Sequence, residues 1–156
     1  MGVLDLIGNT PLVEVTRLDA GRCRLFLKLE HQNPGGSLKD RIALAMVAAA
    51  EKDRRISKGA LLVEATAGNT GLGLALVAAQ KGYRLLIVVP DKMSQEKIFH
   101  LRAMGAEVVM TRSDVTKGHP EYYQERAAAI ARDTPGAFYV NQFAHEANPR
   151  APEENT

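Results

Sequence analysis

The chain has 156 residues, of which 46% are hydrophobic and 24% are charged, a balance that is typical of globular proteins and excludes a disordered chain. Its 20 basic and 18 acidic residues are spread along the sequence, so the net charge of +2 favours neither nucleic acid nor a membrane surface as a partner. The single cysteine, Cys23, excludes an internal disulfide and a cysteine-rich metal site, and it favours a cytoplasmic location.

The first part of the chain shows no regular alternation of elements. Residues Arg24–Glu30 are predicted to form a strand, and a loop rich in glycine and proline follows at Asn33–Gly36. A helix is predicted from Asp40 to about Lys52. Residues 1–38 are therefore expected to stand apart from the repeating pattern that comes after them.

From Leu61 onward, short apolar runs alternate with longer alanine-rich stretches, which predicts a parallel sheet with crossover helices. The predicted strands are Leu61–Glu64, Leu85–Val89, Glu107–Thr111 and Ala137–Val140. The predicted helices between them are Thr70–Lys81, Ser94–Met104 and Pro120–Asp133, with end signals at Gly82 and Gly105 and a start signal at Pro120. The fold class is α/β, with an open parallel sheet of about four strands in a three-layer αβα arrangement and an incomplete second domain.

The end of the chain is not expected to form a regular element. Residues Pro149–Thr156 contain two prolines and mostly polar groups, without helical or strand periodicity. The ligand is expected elsewhere, at the edge of the sheet where the carboxyl ends of the parallel strands meet.

One candidate site is a lysine at a predicted helix start. The segment Asn33–Arg41 has the sequence Asn-Pro-Gly-Gly-Ser-Leu-Lys-Asp-Arg, in which Ser37 and Asp40 have the spacing of a capping box. This spacing puts Lys39 in the first helical turn, where the helix dipole disfavours the charged amine and favours the neutral nucleophile. The structural alternative is a solvated lysine at an ordinary helix start.

A second candidate is the loop Glu64–Gly71, which follows a predicted strand and opens a helix. Its sequence, Glu-Ala-Thr-Ala-Gly-Asn-Thr-Gly, brings backbone amides and short polar side chains to one point, which suits a carboxylate or a phosphate. The glycine spacing differs from the dinucleotide pattern G-x-G-x-x-G, so NAD binding is not predicted. The structural alternative is an Asn or Thr N-cap with glycines for tight packing.

Other polar positions carry weaker signals. Ser94 and Lys97 fit helix capping and surface charge, whereas Asn141 and Gln142 directly follow the last predicted strand and are expected to point toward the ligand. The four histidines show no spacing that suits a shared metal ion, so no metal site is predicted; they are His31, His100, His119 and His145.

Together these segments resemble the pyridoxal-phosphate-dependent enzymes of the cysteine synthase and cystathionine β-synthase family, which have a tryptophan synthase β-like fold. The resemblance covers nearly the whole chain, with motifs in the family's order and spacing at Ile7–Leu12, Lys28–Glu30, Asn33–Arg41, Glu64–Gly71 and Asn141–Phe143. The stretches Thr111–Asp114 and Gly118–Tyr123 are more similar to the bacterial cystathionine β-synthase-like branch.

The resemblance implies a role for each matching residue. Lys39 would form the Schiff base with pyridoxal 5'-phosphate and Asn69 would hydrogen-bond the ring hydroxyl. The residues implied in binding the amino-acid carboxylate are Thr66, Gly68, Asn69, Thr70 and Gln142. The implied activity is that of a transferase or lyase: β-replacement on serine or O-acetylserine by sulfide or a thiol, giving cysteine or cystathionine in a homodimer. Ala67 stands where many relatives carry serine, so a hydroxyl contact is lost there.

The resemblance also divides the chain. Residues 39–145 are expected to be the family's smaller domain, and residues 1–38 and 146–156 an incomplete part of its larger, cofactor-binding domain. The family's loop for the cofactor phosphate has no counterpart in the sequence, which leaves a truncated, inactive copy as one interpretation. Two alternatives stay open: a related dehydratase or threonine synthase-type lyase, and a non-catalytic module that binds a carboxylate or a peptide.

Overall fold

A two-stranded antiparallel sheet precedes the main body of the protein. The computed structural model describes every residue from Met1 to Thr156. Strands β1 (Leu12–Glu14) and β2 (Phe26–Lys28) pair with Val13 opposite Leu27, and short 3-10 turns lie at Val3–Leu6 and Glu30–Gln32. Most of these strand residues are exposed, including apolar ones, so this small sheet contributes little to the core.

The main sheet has four parallel strands, which confirms the predicted α/β class. They are β3 (Leu61–Ala65), β4 (Arg84–Pro90), β5 (Glu107–Thr111) and β6 (Ala137–Tyr139), in the spatial order β5-β4-β3-β6. The helices are α1 (Lys39–Lys52), α2 (Asn69–Lys81), α3 (Gln95–Ala103), α4 (Tyr123–Asp133) and α5 (Ala147–Asn155). None of the helices is both long and apolar enough to cross a membrane.

Apolar side chains cover the sheet on both faces. Leu62 and Ile87 belong to a cluster shared with α1, α2, α3 and α5, whereas Val63 and Val88 pack with Ala127 of α4 on the opposite face. Alternate residues of a strand point to opposite faces, so the continuous apolar runs of β3 and β4 are what a three-layer arrangement requires. Burial of each such side chain stabilises the fold by about 1.5–3 kcal/mol.

The end of the chain and the start of α4 differ from the prediction. The helix predicted from Pro120 begins only at Tyr123, because the Tyr122 N–H donates to the carbonyl of His119 and closes a turn ahead of the helix. The expectation of an irregular end was wrong, since α5 forms there and packs on α1. Pro149 is tolerated in its first turn, where a backbone N–H has no helical partner to lose.

A buried ion pair joins these outer segments to α1. The Arg41 guanidinium, 3% exposed, donates to both carboxylate oxygens of Glu30 at 2.8 Å and to Thr10 Oγ1 at 3.2 Å. It also donates to the backbone carbonyl of Asn155 at the end of α5. The pairing with Arg41 lowers the pKa of Glu30 from its ordinary value of 4.5 to about 2. One side chain of α1 therefore ties both ends of the chain to the body.

We expect Glu30→Gln to lower the free energy of unfolding by about 3 kcal/mol, because it leaves the Arg41 charge buried without a counter-charge. The wild-type pairing contributes fully above pH 4.5, and its contribution is lost as the pH falls toward 2. Urea unfolding at pH 7 and pH 3 measures both effects. Glu14→Gln is the control, since it breaks the exposed pair with Arg24 and should change stability far less. Equal losses in the two variants would contradict the role assigned to the buried pair.

Candidate functional site

Three chain segments meet at the carboxyl edge of the parallel sheet. They are the loop between β3 and α2, the start of α1, and the segment that follows β6. Loops after parallel strands open at this edge, and the first turns of helices expose unpaired backbone N–H groups there. The segments contain all six residues that the sequence singled out, which are Lys39, Thr66, Gly68, Asn69, Thr70 and Gln142.

The loop between β3 and α2 presents free amides at a helix start. Thr66 is buried, and its Oγ1 accepts a hydrogen bond from the Gly68 N–H at 3.2 Å. Gly68 is the N-cap of α2 and provides no side-chain cap, so the expected alternative of an Asn or Thr N-cap is wrong. The backbone N–H groups of Asn69 and Thr70 have no acceptor within the protein. The loop thus offers donors to an anion.

Gln142 is held against this loop at three points. Its side-chain Oε1 accepts from the Thr70 hydroxyl at 2.7 Å, its backbone N–H donates to Glu64 Oε2 at 2.9 Å, and its carbonyl accepts from Asn148 Nδ2 at 2.7 Å. With Oε1 engaged, the side-chain Nε2 makes no hydrogen bond within the protein and remains a free donor. Thr70 and Gln142 are 72 positions apart in the sequence, so the tertiary fold alone brings them together.

The turn after β6 directs Gln142 toward the loop. Asn141 adopts a left-handed conformation with φ of 50°, which asparagine tolerates better than most residues, and its carbonyl accepts from the Ala144 N–H at 3.0 Å. The backbone leaves the plane of the sheet here. Gln142 therefore faces the loop between β3 and α2, and its expected role toward a ligand stays a prediction.

Lys39 is the first residue of α1, as the prediction of a first-turn lysine requires. Its N–H donates to Ser37 Oγ at 3.1 Å, while its partly buried side chain makes no hydrogen bond or ion pair. The expected capping box does not form, because the Asp40 carboxylate accepts from the Gly35 N–H and not from that of Ser37. Burial raises the pKa of Asp40, and the carboxyl fixes the glycine loop that leads to the lysine.

A close helix contact positions Lys39 beside α2. A Cβ atom built on Gly73 would lie 2.8 Å from the Lys39 carbonyl oxygen and 3.1 Å from the Cβ of Ala43. No side chain fits at this position of α2, so the two helices approach more closely than other residues allow. The start of α1 is thereby held against the second turn of α2.

Two residues that shape the site, Glu64 and Asn148, had no role predicted from the sequence. A charged residue at the end of an otherwise apolar strand was the available signal for Glu64. A surface groove of about 950 Å³ lies elsewhere, between α1, α5 and β6. It is lined by none of the six predicted residues, and its side chains of opposite charge include Arg55 and Glu146.

The known proteins that this chain resembles belong to one family. A family model described as "Pyridoxal-phosphate dependent enzyme" matches residues 3–156. Cystathionine beta-synthase from Dictyostelium discoideum is 43% identical over 155 residues, which cover 99% of this chain and 31% of that protein. Cysteine synthase from a Flavobacterium strain is 45% identical over 154 residues, covering 98% of this chain and 49% of the relative.

Solved structures agree in fold. A hydrogen sulfide-producing enzyme from Fusobacterium nucleatum superposes with a TM-score of 0.88 and 44% identity, over 98% of this chain and 49% of that one. O-ureido-L-serine synthase superposes with a TM-score of 0.91 and 37% identity, over 98% and 47%. The chain thus spans between about a third and a half of the length of these relatives.

We expect Gly73→Ala to lower the free energy of unfolding by about 1–3 kcal/mol, because the added methyl group forces α1 away from α2. Helix propensity alone predicts the opposite, a gain of about 1 kcal/mol. Urea unfolding measures the sign, and the amide resonance of Lys39 reports the displacement. Ala79→Gly, at an exposed position of the same helix, calibrates the propensity effect. A stabilised Gly73→Ala variant would show that the helix contact leaves room.

Proposed function

The chain belongs to the family of pyridoxal-phosphate-dependent enzymes, and we propose from this membership that it carries the lysine-bearing part of a β-replacing enzyme. Its substrate would be serine or O-acetylserine, and its product cysteine or cystathionine. The observation that carries the proposal is the hydrogen bond between Thr70 and Gln142, which leaves the Gln142 Nε2 free as a donor. The N–H groups of Asn69 and Thr70 are also free, in a helix that packs against the start of α1 at Lys39. Such a donor set fits an amino-acid carboxylate.

The residues around Lys39 fit pyridoxal phosphate. A lysine amine is the nucleophile that joins an aldehyde, and the Lys39 Nζ has no competing partner in the protein. The exposed side chain of Asn69, in the first turn of α2, is free to donate to the ring hydroxyl. When bound, the cofactor supplies an electron sink for bond breaking at the substrate α-carbon.

The loop and Gln142 would hold the substrate. The carboxylate accepts from the N–H groups of Asn69 and Thr70, from the Gln142 Nε2 and from the hydroxyl of Thr66, whose oxygen already accepts from Gly68. Charge-assisted hydrogen bonds of this kind are roughly twice as strong as neutral ones. They fix the orientation of the α-carbon relative to the lysine.

Lys39 would then act as the base. With cofactor and substrate bound, the Lys39 Nζ would accept the proton from the substrate α-carbon. The β-substituent would leave the β-carbon as acetate or water, and sulfide or a thiol would add to that β-carbon. The ammonium of Lys39 returns its proton to the α-carbon as the product forms.

The proposal also assigns the two parts of the chain to two domains. Residues 39–145 would be the smaller domain, and residues 1–38 and 146–156 part of the larger one. Leu12, Phe26 and Leu27 of the small antiparallel sheet are 62%, 41% and 51% exposed, and exposed apolar patches of this kind mark surfaces that pack against other protein. The names of the relatives favour β-replacement over a dehydratase or a threonine synthase-type lyase.

We expect pyridoxal phosphate added to the chain, then reduced with borohydride, to label Lys39 and no other lysine. Peptide mass spectrometry locates the label. Lys39→Ala should lose it, together with the imine absorption band, whereas Lys92→Ala, an exposed lysine in the loop after β4, should keep both. A label of equal yield in Lys39→Ala would rule out Lys39 as the cofactor lysine.

We expect Gln142→Ala to weaken the binding of serine to the cofactor-loaded chain by roughly 10- to 150-fold, the loss of one hydrogen bond to a charged group. Isothermal calorimetry measures the affinity, with Gln95→Ala, an exposed residue at the start of α3, as the control. Serine binding that is equally strong with and without cofactor, and without an imine band, would favour the non-catalytic carboxylate-binding module.

A further inference from the structure

The central strand of the sheet contains a carboxylate that has no counter-charge. Glu64 of β3 is fully buried, and no lysine, arginine or histidine forms an ion pair with it. Burial raises its pKa to about 7, although two backbone N–H groups donate to its oxygens and oppose that shift. Such a group destabilises the fold relative to an apolar residue at the same place. Stability alone does not explain a glutamate in this strand.

Both of its hydrogen bonds lead into the candidate site. Oε1 accepts from the Ala65 N–H at 2.7 Å, where the loop that carries Thr66 and Thr70 begins. Oε2 accepts from the Gln142 N–H at 2.9 Å, in the segment after β6. One carboxylate therefore connects the main chains of the two segments that face each other across the site.

The second bond replaces a missing rung of the sheet. The Val140 N–H donates to the carbonyl of Val63, and in a parallel ladder the next such donor would be the Gln142 N–H, with the carbonyl of Ala65 as acceptor. The left-handed conformation of Asn141 takes the chain off the ladder before that bond can form. The Gln142 N–H therefore donates to the Glu64 carboxylate and not to the carbonyl of Ala65.

We infer that Glu64 is a positioning residue of the carboxylate site, which holds the backbone of Gln142 off the sheet ladder so that its side-chain amide reaches Thr70. The inference rests on the proposed function, because it assigns Glu64 to the same substrate site. Glu64 itself need not touch the substrate. It acts through Gln142, whose side chain Thr70 fixes from the other side.

Only a carboxylate satisfies both donors at once. A glutamine at this position has nearly the same volume but a single acceptor oxygen, so its NH2 group would face one of the two N–H donors. Glu64→Gln is therefore expected to release Gln142 or Ala65 while leaving the packing of β3 in place.

Hydrogen exchange of the Gln142 amide at about pH 8, where most of the Glu64 carboxyl is ionised, tests the inference directly in the full 156-residue chain. We expect exchange in Glu64→Gln at least tenfold faster than in the wild type, a shift of the Gln142 side-chain NH2 resonances, and roughly tenfold weaker binding of serine to the cofactor-loaded protein. Unchanged exchange and unchanged resonances of Gln142 would overturn the inference.

Glu51→Gln is the matched control. Glu51, in the last turn of α1, accepts from Lys81 Nζ at 2.7 Å and from Tyr83 Oη at 2.8 Å, far from Gln142 in the fold. It should lose stability without altering the Gln142 amide or the affinity for serine. An equal loss of affinity in both variants would reduce Glu64 to a stabilising role and contradict the inference.

Two further outcomes are distinguished: a variant that does not fold and a wild type that binds no serine. If Glu64→Gln fails to fold, Glu64→Asp serves as the second variant. It keeps the charge but is one methylene too short to reach both donors, so it should weaken the protection of Gln142 to a smaller degree. If the wild type binds no serine, the proposed function fails, and the exchange and resonances of Gln142 still decide whether Glu64 positions that residue.

Discussion

The contact between α1 and α2 at Gly73 sets the geometry on which the candidate site depends. The Lys39 carbonyl lies where a side chain on residue 73 would have to be, so the start of α1 is pressed against α2. A second glycine of α2 serves the loop, since a Cβ on Gly71 would lie 3.1 Å from Thr66 Cγ2. Each glycine destabilises the helix by up to about 1 kcal/mol relative to alanine. In return, the start of α1 at Lys39 lies against α2, whose first-turn N–H groups have no acceptor in the protein.

Buried polar groups outside the apolar core fix the start of α1 relative to the two ends of the chain. The Arg41 guanidinium, buried at the start of α1, donates hydrogen bonds to Glu30, to Thr10 and to the end of α5. The neighbouring Asp40 accepts a hydrogen bond from the glycine loop before Lys39. These buried charges stabilise the fold less than apolar side chains of similar volume would. Each hydrogen-bonded pair, however, fits only one relative position of the segments that it joins. The lysine is thus fixed from both sides along the chain: by the glycine loop that precedes it and by the arginine that follows.

At the carboxyl edge of the sheet, a buried polar group likewise fixes the backbone. β6 stops short of the ladder bond that would have bound Gln142 to β3, and a buried carboxylate takes that bond over. The side chain of Gln142 is then oriented by a hydroxyl of α2. An apolar strand end in place of Glu64 would give a more stable sheet, and it would leave the amide of Gln142 without a fixed direction. The fold is thus less stable than it could be at the end of β3, where the proposed chemistry needs a defined geometry.

The sequence by itself determined the α/β class, the four parallel strands and the helices between them, because buried runs of Leu, Ile and Val and glycine stop signals are local properties. It also determined the family, since several motifs keep one order and spacing along the chain. The structure corrected the start of α4 and the end of the chain, where turn bonds and packing on α1 outweigh local signals. Only the tertiary structure decided three contacts. The Lys39 carbonyl packs against Gly73, the Thr70 hydroxyl donates to Gln142, and the Glu64 carboxylate accepts a hydrogen bond from Gln142. These contacts join residues that are tens of positions apart, and no local pattern encodes the distance between them.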